Sequence, residues 1–210
     1  MQFYMHAKIK KHFKKFDPVL FDMLKVVGEL EEINPISPEE YFSQLCREII
    51  GQQLSGKVAK VFLERFKNLF PERNITPHFL SKISNEDLRK IGVSWAKVKY
   101  LKDLAIKVGD KEIILGGLHD LDNEKVIKEL TMVKGIGNWT AEMFLMFSLG
   151  REDVFSYGDL GLRKAIEKIY DLKNPTEKTI EKISQKWIPY RTWACRILWK
   201  SHDIAGLKKT

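Results

Sequence analysis

The sequence predicts an all-α fold. Three observations carry that expectation. Helix-capping signals recur along the chain, each followed by apolar residues at helical spacing. No series of alternating segments reads as strands, and the one β-like run is "KEIIL", residues 111–115. No proline- or serine-rich linker divides the 210 residues, a length that suits one or two compact units.

The helices are predicted in turn. "KIKKHFKKF" is a short basic helix. Asp17-Pro18 opens "PVLFDMLKVVG", with the aspartate as N-cap and the proline at the first helical position. Ser37-Pro38-Glu39-Glu40 is a capping box that launches "EEYFSQLCREIIG". "KVAKVFLERFKNLF" follows Ser55-Gly56, and Ser84 with Asp87 starts "EDLRKIG". "AKVKYLKDLAIKVGD" comes next, then "NEKVIKELTMV" capped by Asp122. "WTAEMFLMFSLG" is the next helical run, and Asp159 precedes "LGLRKAIEKIY". Pro175 begins a final segment through "TEKTIEKISQKW" and, past Pro189, "YRTWACRILWKSHD". The stretch "LRKIGVSWAKVKYL" places a single glycine between helices and reads as an ordinary turn.

Formal net charge is +8 and pI is about 9.3. That suits a polyanion partner and serves solubility equally. No run approaches the roughly 18 uninterrupted apolar residues of a membrane span, so no membrane partner is expected. "MQFYMHAKIKKHFKKF" lacks the apolar block and cleavage site of a signal peptide. The expected location is the cytoplasm, at the nucleoid. Cys46 and Cys195 lie in apolar helical segments and read as buried free thiols. Two cysteines cannot supply the four thiolates of an iron–sulfur cluster.

In "ELTMVKGIGNWTAEMF" an apolar helix ends near Val133 and another starts near Asn138. Glycine tolerates the positive φ of a sharp turn. Without side chains, Gly135 and Gly137 also bring their backbone N–H groups to the surface. The following helix adds the N–H groups of its first turn and the positive end of its dipole. Together these make an anion site suited to a DNA phosphate. Lys134 adds charge there, Thr140 belongs to the same helix start, and Ile136 anchors the turn in the core. A plain helix–turn–helix corner would use the same glycines.

With its flanks, "LTMVKGIGNWTA" resembles the helix–hairpin–helix of the HhH-GPD DNA glycosylase superfamily. The resemblance implies a two-lobed all-α domain over residues 1–210, with a cleft between the lobes. One lobe would be approximately 36–154; the other would combine 1–35 with 155–210. It implies a duplex DNA partner held by hairpin amides, and a monomer. It allows a Na+ or K+ ion at the backbone carbonyls of Met132, Val133 and Ile136, and requires no other cofactor. The family pattern also requires an aspartate downstream of the hairpin at the start of a helix, and Asp159 stands there. Aspartate is equally a favoured N-cap residue, and the two roles are compatible. A fixed carboxylate stabilises the oxocarbenium character of a breaking N-glycosidic bond and can orient or deprotonate the attacking water. Asp153 stands too early for this part and Glu142 lies inside the helix after the hairpin.

Bifunctional relatives carry a lysine two positions after the second glycine, which allows strand cleavage through a Schiff base. This chain has Trp139 there, which implies a water-using, monofunctional enzyme. Tryptophan at that position resembles the 3-methyladenine glycosylase II group, the AlkA type. "REIIGQQLSGKVAKVF" and "WIPYRTWACRILW" are similar to two further segments of that group. The larger members carry an additional N-terminal β domain, for which this chain leaves no room. The resemblance implies a base pocket lined by Trp139, Tyr190 and Trp187, with Trp193 a further candidate. An aromatic pocket suits a flipped cationic base; core packing would suit the same side chains. Met143 and Leu160 stand where some relatives place further aromatics. Gln53 or Leu54, in "GQQLSG", would be the wedge that fills the gap in the duplex, unless the segment is a simple polar turn. The expected activity is excision of alkylated purines in base excision repair. The alternatives are a glycosylase/lyase acting on oxidised bases and a non-catalytic damage sensor.

Overall fold

The computed structural model describes residues 2–207. Its helices in chain order are α1 (Gln2–Phe16), α2 (Pro18–Val27), α3 (Tyr41–Gly51) and α4 (Gly56–Lys67). Then come α5 (Pro77–Lys82), α6 (Asn85–Lys90), α7 (Trp95–Gly109) and α8 (Asn123–Thr131). Last are α9 (Asn138–Met143), α10 (Leu160–Ile169), α11 (Glu177–Ser184) and α12 (Arg191–Leu207). Among the described residues no strand forms, and no helix is long and apolar enough to cross a membrane. The chain divides into two compact units, Met1–Asn34 with Gly150–Thr210, and Pro35–Leu149.

Most helix starts follow the local chemistry of the sequence. Side chains of Asp17, Ser84, Asp122 and Asp159 each accept an N–H of the first helical turn. The capping box at Ser37 closes through Glu40, whose Oε2 accepts the Ser37 N–H at 3.2 Å. Two features, α5 and a π turn, go beyond expectation, and the β-like run stays out of any strand. Helix α5 is additional, opened by Pro77 and capped by Thr76, whose hydroxyl accepts the Phe79 N–H at 3.3 Å. "KEIIL" makes no strand; Leu115–Asp120 forms a 3-10 helix. Past Met143, α9 widens into a π turn, Phe144–Ser148. Gly92, the single glycine between α6 and α7, does adopt positive φ, +115°.

The core of the first unit is organised by a buried carboxylate. Asp17, 1% exposed, caps α2 by accepting the Leu20 N–H at 3.1 Å. Its other oxygen accepts the Tyr170 hydroxyl at 2.7 Å and the Trp187 indole N–H at 2.8 Å. A buried carboxylate needs such donors to replace water. Burial, reinforced by the Asp17 contact, pushes the Tyr170 phenol well above its ordinary range. Trp187 is fully buried, with its ring 5.6 Å from Phe155. The expectation that Trp187 lines a base pocket is therefore corrected: it has no exposed face on which a base could stack. Cys46 and Cys195 are buried free thiols, and burial pushes the Cys46 thiol far up.

Trp187→Phe should keep the ring volume nearly filled but leave Asp17 one donor short. The expected cost is about 1–3 kcal/mol of unfolding free energy in urea denaturation. An unchanged midpoint would contradict the role given to the indole N–H.

Candidate active site and hairpin

In the first unit, Asp159 Oδ1 accepts the Leu162 N–H at 2.8 Å, the capping bond of α10. The same oxygen accepts the indole N–H of Trp199, from α12, at 3.2 Å. A helix N-terminus and a fixed indole thus orient one half-buried carboxylate. Gly161 leaves room for the pair: a Cβ there would lie 3.1 Å from Asp159 Oδ1 and 3.6 Å from Trp199 Cδ1. Asp153 is placed quite differently. Arg191 donates to it from Nε at 2.6 Å and from Nη2 at 3.0 Å, one bond to each oxygen. That bidentate pair ties the loop before α10 to the start of α12.

Tyr190 is half-buried just ahead of α12, after the cis Ile188–Pro189 peptide. Its ring meets His12 edge-on at 5.2 Å. His12 Nε2 lies 2.9 Å from the Lys186 carbonyl and must donate to it, so α1 holds the segment that carries Tyr190. Trp193 is 4% exposed and donates to Glu152 at 3.2 Å, with the Arg196 guanidinium 4.7 Å from its ring centroid. It is a packing residue.

In the second unit, the hairpin between α8 and α9 contains both glycines, and they differ. Gly135 has φ +85°, and a Cβ there would fall within the Tyr100 ring. Gly137 has φ −95° and ψ 176°, ordinary extended backbone, and a Cβ there would meet nothing within 4 Å. Gly135 is therefore demanded by the fold and Gly137 is not. Two hairpin amides are satisfied internally: Ile136 N–H by the Val133 carbonyl at 3.1 Å, and Lys134 N–H by Asp103 Oδ2 at 2.8 Å. The Lys134 ammonium is exposed, 3.7 Å from Asp103. Ile136 is buried. Thr140 is only 5% exposed. Trp139, at the start of α9, is 47% exposed.

The segment between α3 and α4 reaches the same hairpin. Gln52 donates from Nε2 to the Gly135 carbonyl at 2.8 Å. Lys97, from α7, donates to the carbonyls of Ile50 at 2.8 Å and Gln52 at 2.6 Å. Burial lowers the Lys97 pKa. Next along the turn, Gln53 is exposed with φ +56°, and Leu54 is half-buried. Among the described residues, no group of three or more His, Cys, Asp or Glu side chains could hold a metal ion.

This arrangement can be set against known proteins. Residues 46–190 match the family described as HhH-GPD superfamily base excision DNA repair protein. The chain belongs to that family. The HhH-GPD match takes in the second half of α3, the hairpin, Asp159 and Tyr190, and stops short of Trp199. The chain is 33% identical to DNA-3-methyladenine glycosylase 1 of Schizosaccharomyces pombe, over 97% of this chain and 90% of that one. It superposes on the crystal structure of a DNA-3-methyladenine glycosidase from Bacillus halodurans with a TM-score of 0.82 and 34% identity, covering 94% of this chain and 91% of that one. It superposes on the Schizosaccharomyces pombe enzyme in complex with abasic DNA with a TM-score of 0.76 and 32% identity, covering 92% and 95%.

Sequence reasoning missed Trp199, Gln52, Lys97, Tyr100 and Asp103. Trp199 stands in the quoted terminal segment but is separated from Asp159 by α10, α11 and the first turns of α12, so nothing local joins them. Lys97, Tyr100 and Asp103 carry a readable signal: they recur every third residue on α7, one face of one helix.

Gly135→Ala should lower thermal stability markedly, since it combines a disfavoured φ with a clash, whereas Gly137→Ala should melt within about a degree of the parent. Calorimetry of both variants checks this. Equal melting temperatures would contradict the distinction.

Proposed function

We propose that this HhH-GPD protein is a monofunctional DNA glycosylase that flips alkylated purines of the 3-methyladenine type out of duplex DNA and hydrolyses their N-glycosidic bond, in base excision repair. The carrying observation is the Asp159 carboxylate, oriented by the Leu162 N–H and the Trp199 indole. The names of the relatives support the substrate class.

A base alkylated on a ring nitrogen is already a cationic leaving group. As the C1′–N bond breaks, its electron pair neutralises the base, and positive charge develops on the sugar. Asp159 faces that charge electrostatically and orients the water whose oxygen bonds to C1′; the water's proton passes to the carboxylate or to solvent. No amine is needed. Trp139 stands where a lyase would present one, and its exposed ring, with Tyr190, serves the flipped base by stacking and cation–π attraction. Gln53 or Leu54 fills the vacated stack.

The hairpin grips a phosphate through backbone amides at Gly137 and the start of α9, with Lys134 adding charge. The carbonyls of Met132, Val133 and Ile136 are neutral oxygen donors of the kind that suits Na+ or K+. Val133 already accepts the Ile136 N–H, which leaves its carbonyl a second lone pair. The enzyme acts as a monomer on chromosomal DNA in the cytoplasm, and its binding weakens steeply with salt.

Duplexes each bearing one defined lesion, among them 3-methyladenine, 7-methylguanine, hypoxanthine, uracil and 8-oxoguanine, test the reading. Alkylpurines should be released, with strand breaks appearing only after alkali and no covalent complex trapped by borohydride. A trapped complex points to a lyase; DNA binding without release of any base points to a damage sensor. Asp159→Asn can still cap α10, so the fold should survive while excision falls by roughly 100-fold or more. Excision at the parent rate would remove Asp159 from the chemistry.

A further inference from the structure

Between α3 and α4 the backbone is pinned on both sides of one residue. Gln52 N–H bonds to the Glu48 carbonyl at 3.1 Å and Leu54 N–H to the Gly51 carbonyl at 3.1 Å. The carbonyls of Ile50 and Gln52 share the Lys97 ammonium. The Gln52 side chain is fixed on the Gly135 carbonyl, 83 positions along the chain. The residue left at the tip is Gln53, in the left-handed region at φ +56°. A non-glycine residue stays there only when its surroundings over-determine it.

We infer that Gln52 is a positioning residue: its bond to Gly135 locks the turn carrying Gln53 and Leu54 to the hairpin, and so sets how far the wedge projects when the hairpin holds a phosphate. The inference rests on the glycosylase reading given above and deepens it. Hairpin and turn are built from different helices, and this amide joins them, with the α7 face behind it. Lys97 anchors the turn. Tyr100 packs on Gly135, and Asp103 accepts the Lys134 N–H on the hairpin side. A donor at position 52 is required because a carbonyl cannot bond another acceptor or an apolar group. The adjacent glutamine, Gln53, is exposed. One glutamine of the pair thus holds the turn and the next stands at its tip.

The wedge matters when a base must be taken out of a paired stack. It matters less when the base is unpaired from the start, because the cost of opening is already gone. This separates positioning from general structural support. Single-turnover excision of 7-methylguanine would be compared in two duplexes of one sequence, with the lesion opposite cytosine or opposite an abasic-site analogue. Gln52→Met keeps the length of the side chain and removes its donor. It should slow excision about tenfold on the paired lesion and stay within about twofold of the parent on the unpaired one. Binding to undamaged duplex should keep its salt dependence, since phosphate contacts are untouched. Lys97→Met, which frees the same turn from its other anchor, should show the same selective loss. Equal loss on both duplexes, or no loss on either, overturns the inference. If the parent enzyme releases base from neither duplex nor from any other alkylated one, the glycosylase reading fails instead, and that outcome is separately visible.

Discussion

The hairpin keeps its shape because one side chain is missing. Gly135 lies so close to the Tyr100 ring that any Cβ would enter it, and its φ of +85° admits little else. That contact fixes the hairpin against α7, and α7 in turn reaches α3 through Lys97 and the Lys134 amide through Asp103. Each of these bonds has one charged partner and contributes about 1.5–3 kcal/mol. Their effect comes from what they hold. Each fixes a backbone carbonyl or amide, groups whose directions decide where the chain can turn and what it can present. The amide donors that would meet a phosphate are thus set by a helix that need not touch it.

The first unit holds two aspartates that a local view cannot tell apart. Asp17 and Asp159 each precede a helix and each cap it through Oδ1. Each also accepts an indole N–H from far along the chain, Trp187 in one case and Trp199 in the other. The difference lies in burial. Asp17 is 1% exposed and carries three donors, so its charge is spent inside the core. Asp159 is half-buried, so its carboxylate is not sealed in the core as that of Asp17 is.

That comparison also marks how far the sequence could be read. Caps are legible because an N-cap side chain bonds a backbone amide three residues on. Hence the starts of α2, α6, α8 and α10 follow directly from Asp17, Ser84, Asp122 and Asp159. The hairpin is legible for a related reason, since its glycines and flanking apolar positions are contiguous. Long-range pairing is not legible. Of the tryptophans in "WIPYRTWACRILW", the resemblance selected Trp187, which the structure places in the core, and passed over Trp199, which it places on Asp159. Both have apolar neighbours and helical spacing, so nothing in the local pattern ranks them. The first glutamine of "GQQLSG" was passed over for the same reason, because its partner is the distant Gly135.

Charge explains why so sparse a site suffices for the proposed chemistry. A neutral base leaves only if something protonates it, which calls for a general acid with a raised pKa near the leaving group. An alkylated purine brings its own positive charge, so that acid is not required. What remains is to stabilise the sugar and to hold the base. In the proposed mechanism a single oriented carboxylate would do the first. In the same mechanism an exposed aromatic face, such as the Trp139 ring, would do the second. The geometry of the Trp199–Asp159 pair then acquires a purpose: where the proposed chemistry relies on a carboxylate, the direction in which that carboxylate is held matters. Gly161 serves that direction by keeping a methyl group away from the same oxygen.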